Sequence, residues 1–443
     1  MRALLKDIEA IPTLTRFGRV ARIEGLAVEV TGAQGAVSLG GQCRISIGNH
    51  KTITCEVVGF RDGRALVMPL GSLDGITLGA RADFEDRPLS IYPCRGWLGR
   101  VLNGFGEPMD GKGRLPQGPT AYPLKAAPPP ATARARIGEK LDLGIRALNA
   151  FATCCKGQRM GIFAGSGVGK STLLAMLARN SNADAIVIGM IGERGREVKE
   201  FIEDDLGEEG LKRSVVIAAT SDEAPLVRRQ AAYVAMTVAE NLRDQGLNVL
   251  LLMDSVTRFA MAQREIGLSA GEPPASKGYT PTVFAELPRL LERAGPGSEG
   301  QASITGLFTV LVEGDDHNEP ISDAVRGILD GHIVLDRAIA ERGRFPAINI
   351  LRSVSRAMPG CNSESEQSLV MRARKPLTIY EDMAELIRLG AYKAGTNPEV
   401  DGAVKLYPRL EAFLAQKKDE QATLSEGYAA LTDILGSAEG RAG

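Results

Sequence analysis

Residues 160–172 read MGIFAGSGVGKST, an apolar run followed by a glycine-rich loop. The run from Met160 to Ala164 is long enough for a buried strand, and a helical pattern begins at Lys170. Between a strand and a helix N-terminus, the backbone N–H groups of such a loop curl around phosphate oxygens. The stretch therefore predicts a phosphate-binding loop and, with it, an α/β fold.

The residues of this loop suggest how a nucleotide is held. Lys170 is expected to reach the β- and γ-phosphate oxygens as a point charge, and the Ser171 hydroxyl is expected to ligate Mg²⁺. Thr172 is expected to cap or pack the start of the helix. The usual motif begins with glycine where this chain has Ala164, so a structural turn without nucleotide is the alternative. The predicted contacts to MgATP are Gly165, Ser166, Gly167, Val168, Gly169, Lys170, Ser171 and Thr172.

The residues after the loop alternate between strand-like and helix-like patterns. Such alternation predicts a mainly parallel sheet covered by helices on both faces. Further strands are predicted at residues 185–191, 214–219 and 248–253. Helices are predicted to begin at Lys170, Arg196 and Pro225.

Changes of pattern along the chain predict three folded domains and a short arm. Short β-rich runs separated by glycine turns are typical of a small β-barrel, and helical periodicity follows the sheet, as in residues 381–392 and 404–416. In the arm, apolar residues of 1–11 lie on one helical stripe, which fits either a docking helix or a segment that frays or folds back. The predicted bounds are 1–17 for the N-terminal arm, 18–88 for the barrel, 89–357 for the nucleotide-binding domain and 358–443 for the C-terminal helices.

Acidic residues follow two of the predicted strands. Asp254 ends an apolar strand, where it is placed to hold Mg²⁺ through water, although a strand-end aspartate also caps turns. Glu193 follows the first strand after the loop, where a carboxylate can polarise the water that attacks the γ-phosphate. Arg194 is placed to orient that carboxylate or to contact phosphate. Charge alone does not distinguish Glu193 from Glu197.

Two arginines stand at the end of the last predicted sheet strand. Arg352 and Arg356 are both candidates for an arginine finger, a guanidinium that completes the site of a neighbouring subunit. The residues alone leave this choice open.

Composition excludes several classes of protein. The 443 residues carry a formal net charge of -1, without the basic excess expected of a general nucleic-acid binder. Six cysteines without CxxC spacing indicate a reduced, cytosolic compartment, and three histidines without metal-ligand spacing argue against zinc. No apolar run is long enough to span a bilayer, and residues 1–22 lack the order of a signal peptide. Membrane association is therefore expected only through partners or a surface helix.

Several long strings resemble the hexameric RecA-like ATPases related to the catalytic subunit of rotary ATP synthases, and within them the type III secretion ATPases. The likeness covers nearly the whole chain. Residues 326–332, RGILDGH, are more similar to the flagellar branch of this family than to the injectisome branch. The matching strings are residues 157–159, 161–170, 192–198, 253–267, 278–295 and 312–316.

The resemblance implies roles for individual residues. It makes Glu193 the catalytic carboxylate, Arg356 the finger that acts in trans, and Asp254 part of the magnesium site. It also implies that Phe345 stacks against adenine. Relatives in this branch share Ala164 at the start of the loop. Asn149 departs from the aspartate that relatives often carry and leaves a local hydrogen bond in question.

The resemblance also implies a biological role. A homohexameric ring would use ATP to release export chaperones and to unfold flagellar proteins and feed them to a membrane export gate. The N-terminal arm would bind a stator-like negative regulator, and the helices around residues 381–392 would face a central coiled-coil stalk. The implied location is the cytoplasm, at the inner membrane of the flagellar base. No specific nucleic acid is implied.

Four other functions remain open at this point. An injectisome ATPase shares most of the motifs. Rotary synthase subunits alternate catalytic and non-catalytic chains, whereas this chain carries both Glu193 and Arg356. An RNA-translocating hexameric helicase needs a base-stacking barrel, but residues 18–88 contain only Phe60 and Phe84 as aromatic residues. A non-enzymatic assembly platform does not explain the full set of charged residues.

Overall fold

A closed barrel of antiparallel strands begins the described part of the chain. The computed structural model describes residues 16–48, 51–85, 89–312 and 319–439. The barrel strands are β1 Arg16–Glu24, β2 Ala27–Thr31, β3 Gln42–Ile47, β4 Lys51–Arg61, β5 Arg64–Pro69 and β6 Arg81–Glu85. They close in the order β1-β2-β5-β4-β3-β6. Of the predicted arm, residues 1–15 lie outside the described residues, and residues 16 and 17 belong to β1.

Alternating burial along the strands explains why this barrel forms. In β3, Cys43 and Ile45 are buried while Arg44 between them is exposed, which is the period of two of a strand. At Gly18 a Cβ atom would lie 1.8 Å from the carbonyl oxygen of Thr31, so only glycine permits this approach of the two strands. The predicted β-barrel is confirmed.

A mainly parallel sheet carries the phosphate loop. Its strands are β8 Arg100–Leu102, β10 Arg159–Ala164, β11 Ala185–Glu193, β12 Ser214–Thr220, β13 Val249–Asp254, β14 Gly295–Pro296, β15 Ser303–Leu311, β16 Gly331–Leu335 and β17 Val354–Ser355; β7 Ser90–Ile91 and β9 Tyr122–Pro123 pair separately. The order is β17-β16-β10-β15-β13-β11-β12-β8, with β14 beside β15. Only β14–β15 and β16–β17 pair antiparallel among the described strands of this sheet. The loop strand β10 therefore lies inside the sheet, between β15 and β16.

Helices cover both faces of this sheet, as predicted. They are α1 Arg146–Phe151, α2 Lys170–Asn180, α3 Gly195–Glu200, α4 Gly207–Lys212, α5 Pro225–Asp244, α6 Val256–Ser269, α7 Pro281–Leu291, α8 Pro320–Ile328, α9 Arg337–Glu341, α10 Met358–Cys361, α11 Glu364–Arg388, α12 Pro398–Leu414 and α13 Leu424–Glu439. A π-helical turn, Phe201–Leu206, joins α3 to α4. One apolar core holds α1, α2 and the C-terminal helices, and the other holds α5, α6 and α7.

The C-terminal helices differ in their ends from the sequence prediction. The helix predicted through residue 392 ends at Arg388, because Gly390 has φ 68° and stops the helix in a left-handed turn. The helix predicted through residue 416 ends at Leu414. Ser363 and Glu366 form a reciprocal capping box at the start of α11. The predicted C-terminal helical region is confirmed, with these corrected ends.

The Asn149 side chain makes hydrogen bonds through both its Nδ2 and its Oδ1. Its Nδ2 donates to Asp142 Oδ1 at 2.8 Å and to the carbonyl of Ala422 at 3.3 Å, and its Oδ1 accepts from the backbone N–H of Leu143 at 3.1 Å. The amide is therefore fully used. An aspartate here would face the Asp142 carboxylate with a second negative charge.

Among the described residues, no helix has both the length and the apolar character that crossing a bilayer requires. The same residues contain no cluster of three or more histidine, cysteine, aspartate or glutamate side chains suited to a metal ion.

A buried ion pair joins α5 to the residues that follow α7. Arg293 is 1% exposed, and its guanidinium donates to both carboxylate oxygens of Glu240, at 2.8 and 2.6 Å. The same group donates to the carbonyl of Leu124 at 2.6 Å and to the Thr237 hydroxyl at 3.0 Å. Removing one partner leaves the other charge buried without compensation.

Arg293→Met is therefore expected to lower the free energy of unfolding by about 3–5 kcal/mol. Urea denaturation followed by the fluorescence of Trp97, the single tryptophan, measures this because Trp97 is buried in the same core. The matched control is Lys375→Met, which removes an exposed ion pair with Glu399 and is expected to change stability by less than ~1 kcal/mol. Equal stability losses in the two variants would contradict the prediction.

Candidate active site

The glycine-rich loop has the backbone conformation that a phosphate cradle needs. It joins β10 to α2, and Gly167 and Gly169 have φ of 76° and 86°, a region that side chains strongly disfavour. Helix α2 begins at Lys170 with no side-chain cap, so its first N–H groups point into the loop. Thr172 lies in the first turn of this helix and is half-buried without a capping hydrogen bond, so of the two expected roles its position fits packing. The loop and helix end together form an anion site.

Three charged side chains meet beside the loop. Lys170 Nζ lies 2.5 Å from Asp254 Oδ1 and 3.3 Å from Glu193 Oε1. All three side chains are largely buried, with exposures of 13% for Lys170, 10% for Glu193 and 4% for Asp254. The structure thus brings together the first residue of α2 and the last residues of two strands, which are far apart in the sequence.

The sheet explains how these residues converge. Asp254 ends β13 and Glu193 ends β11, and the two strands pair in parallel with Met190 opposite Asp254. Gly192, just before Glu193, has φ 71°, and a Cβ there would lie 3.0 Å from Cβ of Arg258. The end of β11 can therefore turn close against α6 only because this residue is glycine.

Burial and charge shift the proton affinities at this cluster. Burial raises the pKa of the Glu193 carboxyl above its ordinary value, and the Asp254 carboxylate raises it further, against the opposing charge of Lys170. Burial alone would lower the pKa of Lys170, but the Asp254 and Glu193 carboxylates outweigh it, and that pKa is raised. Lys170 is therefore firmly cationic, while Glu193 holds a proton more readily than an exposed glutamate.

A cavity of about 620 Å³ opens above the cluster. The exposed Ser171 lies on its wall, together with Thr172 and the other loop residues. Val168 is buried and is not among the described residues that line the cavity. Arg194 lies at the rim, with its side chain 80% exposed and 3.4 Å from Glu197. Glu197 is more exposed than Glu193, and its ion pair is with Arg194 rather than with Lys170, which favours Glu193 as the carboxylate of the site.

Sequence reasoning did not assign four residues of this site. Thr309 on β15 donates a 2.6 Å hydrogen bond to Asp254 Oδ1, and the Thr257 hydroxyl accepts one from the backbone N–H of Leu311 at 2.9 Å. Arg258 lines the cavity, and its Nε is buried without a hydrogen-bond partner among the described residues. Arg337 also lines the cavity, and its Nη2 donates to the Ser166 carbonyl at 3.5 Å.

Phe345 packs beside the glycine-rich loop, next to Gly169. Its ring carbons would stand 3.3 and 3.4 Å from a Cβ added at Gly169, so ring and loop are in close contact. The side chain is 47% exposed, and its carbonyl accepts from the backbone N–H of Gln416 at 2.9 Å. An exposed aromatic face beside the phosphate loop is suited to stacking on a base.

The two finger candidates lie elsewhere. Arg352 and Arg356 are exposed near the antiparallel β16–β17 edge, and neither is among the described residues that line the cavity. Arg352 lies 4.0 Å from Asp336. Arg356 has no side-chain ion pair among the described residues, and only its backbone N–H is held, by the Asp330 carbonyl at 3.0 Å. Each chain thus presents these guanidinium groups away from its own cavity.

A phosphate loop on a central parallel strand, with a lysine between two strand-end carboxylates, defines a P-loop ATPase. Comparisons with known proteins identify its kind. The ATP synthase alpha/beta family, nucleotide-binding domain, matches residues 144–355, and the C-terminal domain of the type III secretion ATPase EscN matches residues 362–433. The "Flagellum-specific ATP synthase" of Caulobacter vibrioides is 58% identical over 442 residues, which cover 99% of this chain and 100% of the relative.

Solved structures agree with this result. The assembled ATPase EscN from the type III secretion system of enteropathogenic E. coli matches with a TM-score of 0.86 and 38% identity, covering 94% of this chain and 100% of EscN. EscN in complex with its central stalk EscO matches with a TM-score of 0.85. The chain belongs to the type III secretion ATPases, in the group of flagellum-specific ATP synthases. It is an ATPase with a nucleotide-binding domain.

Proposed function

We propose that the chain is the MgATP-hydrolysing subunit of a homohexameric ring whose active sites lie between neighbouring subunits. This proposal rests on the separation of the charged groups into two places on each chain. Lys170, Glu193 and Asp254 meet at one cavity, while Arg356 is exposed at an edge that does not reach it. A finger that cannot serve its own site fits a neighbour's site.

The donor atoms at the cavity fit magnesium. Mg²⁺ favours oxygen ligands, often a hydroxyl and a carboxylate together with water and phosphate oxygens. The Ser171 hydroxyl on the cavity wall and the Asp254 carboxylate behind Lys170 are such donors. When bound, the ion would supply positive charge that offsets the negative charge of the phosphates.

The residues divide the work of hydrolysis in the following way. The loop N–H groups and Lys170 bind the phosphates, and Phe345 stacks on the adenine. Glu193, at the end of β11, orients and polarises the attacking water, and Arg194 at the rim contacts phosphate or orients Glu193. The neighbour's Arg356 stabilises the charge that develops on the transferred phosphoryl group.

The hydrolysis cycle is proposed to serve flagellar export. The ring releases chaperones, unfolds flagellar substrates and passes them to a membrane export gate, from a cytoplasmic position at the inner membrane of the flagellar base. EscN binds a central stalk, and in this chain Leu386 and Leu389, 46% and 71% exposed near the end of α11, are apolar residues suited to such a partner. The negative regulator is proposed to bind residues 1–17.

The proposed domains are the arm, residues 1–17; the barrel, 18–88; the nucleotide-binding domain, 89–357; and the C-terminal helices, 358–443.

Mixing two inactive variants tests the shared site. Glu193→Gln and Arg356→Ala are each expected to be nearly inactive. Random 1:1 rings contain sites that pair an intact Glu193 with an intact neighbouring Arg356 at about one quarter of the interfaces, and activity returns in that proportion. Wild-type specific activity is expected to rise steeply with protein concentration as rings assemble.

The readout is steady-state ATP hydrolysis, and each variant titrated alone over the same concentrations is the control. An absence of rescue together with concentration-independent wild-type activity would contradict the proposal. It would mean that each chain carries a complete site.

A further inference from the structure

The buried side chain of Gln158 links the loop that carries Arg356 to the start of the phosphate-loop strand. Gln158 is fully buried and immediately precedes β10. Its Nε2 donates to the Ser355 hydroxyl at 2.9 Å and to the carbonyl of Asp330 at 3.1 Å. Its Oε1 accepts from the backbone N–H of Cys155 at 3.0 Å. Both amide hydrogens and the carbonyl oxygen of Gln158 are thus in use.

The atoms that Gln158 contacts are those that place Arg356. The Asp330 carbonyl also accepts the backbone N–H of Arg356 at 3.0 Å, and the Ser355 hydroxyl donates to the carbonyl of Thr153 at 2.7 Å. No side-chain contact among the described residues holds the Arg356 guanidinium itself. Its position therefore depends on its backbone, which is held by this hydrogen-bond network together with the pairing of Ser355 with Gly331 between β17 and β16.

The network is also tied to the nucleotide loop of the same chain. Arg159, the first residue of β10, donates from its backbone N–H and its Nε to the Asp330 carboxylate, each at 3.1 Å. The Asp330 backbone N–H donates to the Arg159 carbonyl at 2.8 Å. From there β10 runs to the glycine-rich loop at Gly165 with β16 beside it. The network therefore joins the finger loop to the strand that ends at the phosphate site.

We infer that Gln158 is a positioning residue for the arginine finger, so that the nucleotide loop of one subunit and the finger it presents to its neighbour form one rigid unit. This inference rests on the proposed role of Arg356 in trans. The chemistry requires glutamine. A carboxylate at this position would set acceptor oxygens against the Asp330 carbonyl and against a Ser355 hydroxyl whose hydrogen is already donated. A methionine fills a similar volume without the hydrogen bonds.

Gln158→Met is expected to lower kcat by about 10- to 100-fold, because a displacement of about 1 Å of a group that acts in the transition state has effects of this size. The dissociation constant for ATP, measured with a fluorescent analogue, is expected to stay within about 2-fold of wild type, since Gln158 does not line the cavity. Ser355→Ala removes a partner of the same network and is expected to lower kcat in the same direction. The matched control is Gln301→Met, an exposed glutamine in a turn, with kcat unchanged.

A double variant separates positioning from general stability. In the Arg356→Ala background, Gln158→Met is expected to lower kcat by less than about 2-fold further, because the group it positions is gone. Wild-type kcat in both Gln158→Met and Ser355→Ala would overturn the inference while leaving the shared site intact. A full further loss in the double variant would also overturn it. Wild-type kcat in Arg356→Ala would instead overturn the shared site and the inference together. If Gln158→Met fails to fold, Ser355→Ala carries the same comparison.

Discussion

Glu193→Gln is expected to lower kcat by about 10²–10⁴-fold while ATP still binds. The substitution keeps the shape of the side chain but removes the charge that, in the proposed mechanism, polarises the attacking water. Glutamine also keeps an oxygen within reach of Lys170 Nζ, which now lies 3.3 Å from Glu193 Oε1. The neighbouring Asp254 loses a like charge, so the cluster is not destabilised by the change. Binding and chemistry should therefore separate cleanly.

Steady-state kinetics with equilibrium binding of a fluorescent ATP analogue measures this separation. Glu197→Gln, in which a more exposed glutamate of the same rim is changed, is the comparison, and a much smaller loss is expected there. The pH profile adds a second test. Because the pKa of Glu193 is raised, the acid limb of kcat/KM should lie above the ordinary glutamate range and vanish in Glu193→Gln. A larger loss in Glu197→Gln than in Glu193→Gln would reverse the assignment.

Lys170→Ala is expected to weaken ATP binding by at least about 10-fold and to leave no measurable hydrolysis. In the proposed site, the lysine donates charge-assisted hydrogen bonds to the phosphates, each worth about 1.5–3 kcal/mol. Its loss also leaves the Glu193 and Asp254 carboxylates without the cation that lies between them. The remaining negative charge repels the nucleotide as well.

The same variant should show an altered response to pH. Without Lys170, the pKa of Glu193 rises further, since Lys170 is the group that opposes the raising effect of Asp254. A carboxyl whose pKa is raised on folding takes up a proton as pH falls, so it stabilises the folded chain towards acid and destabilises it above that pKa. The melting temperature of Lys170→Ala, relative to wild type, should therefore increase as pH is lowered. The control is Lys156→Ala, because Lys156 lies just before β10, at the end of the strand away from the loop. Unchanged ATP affinity in Lys170→Ala would contradict the assigned role.

The parts of the site that follow directly along the chain were open to prediction. The loop lies between a strand and a helix in sequence, and Asp254 and Glu193 end strands of a parallel sheet, whose carboxyl ends share one edge. The loop and Asp254 follow from local pattern, whereas choosing Glu193 over Glu197 required the family resemblance. Assigning Arg356 over Arg352 required the family resemblance, and the structure leaves both exposed.

The contacts of the residues that the sequence did not predict depend on the order of strands in the sheet. β15 lies between β10 and β13 in the sheet but follows β13 in the chain, with α6 and α7 in between. Thr309 therefore reaches Asp254 through a neighbour relation that no local pattern contains. Gln158 was visible only as part of a family string, because its partners Ser355 and Asp330 are distant in sequence. The barrel was predictable because alternation within each strand is local.

The close contact between Phe345 and Gly169 bears on attempts to redesign this enzyme. A designer who wishes to change base preference would enlarge or reshape the aromatic residue. Because its ring packs so near Gly169 that a Cβ there would lie 3.3 Å from it, a bulkier ring at Phe345 would push on the glycine-rich turn. With Phe345 at the base as proposed, substrate choice and catalytic rate are coupled traits, and selection for a new nucleotide should yield compensating changes in the loop together with those at the base.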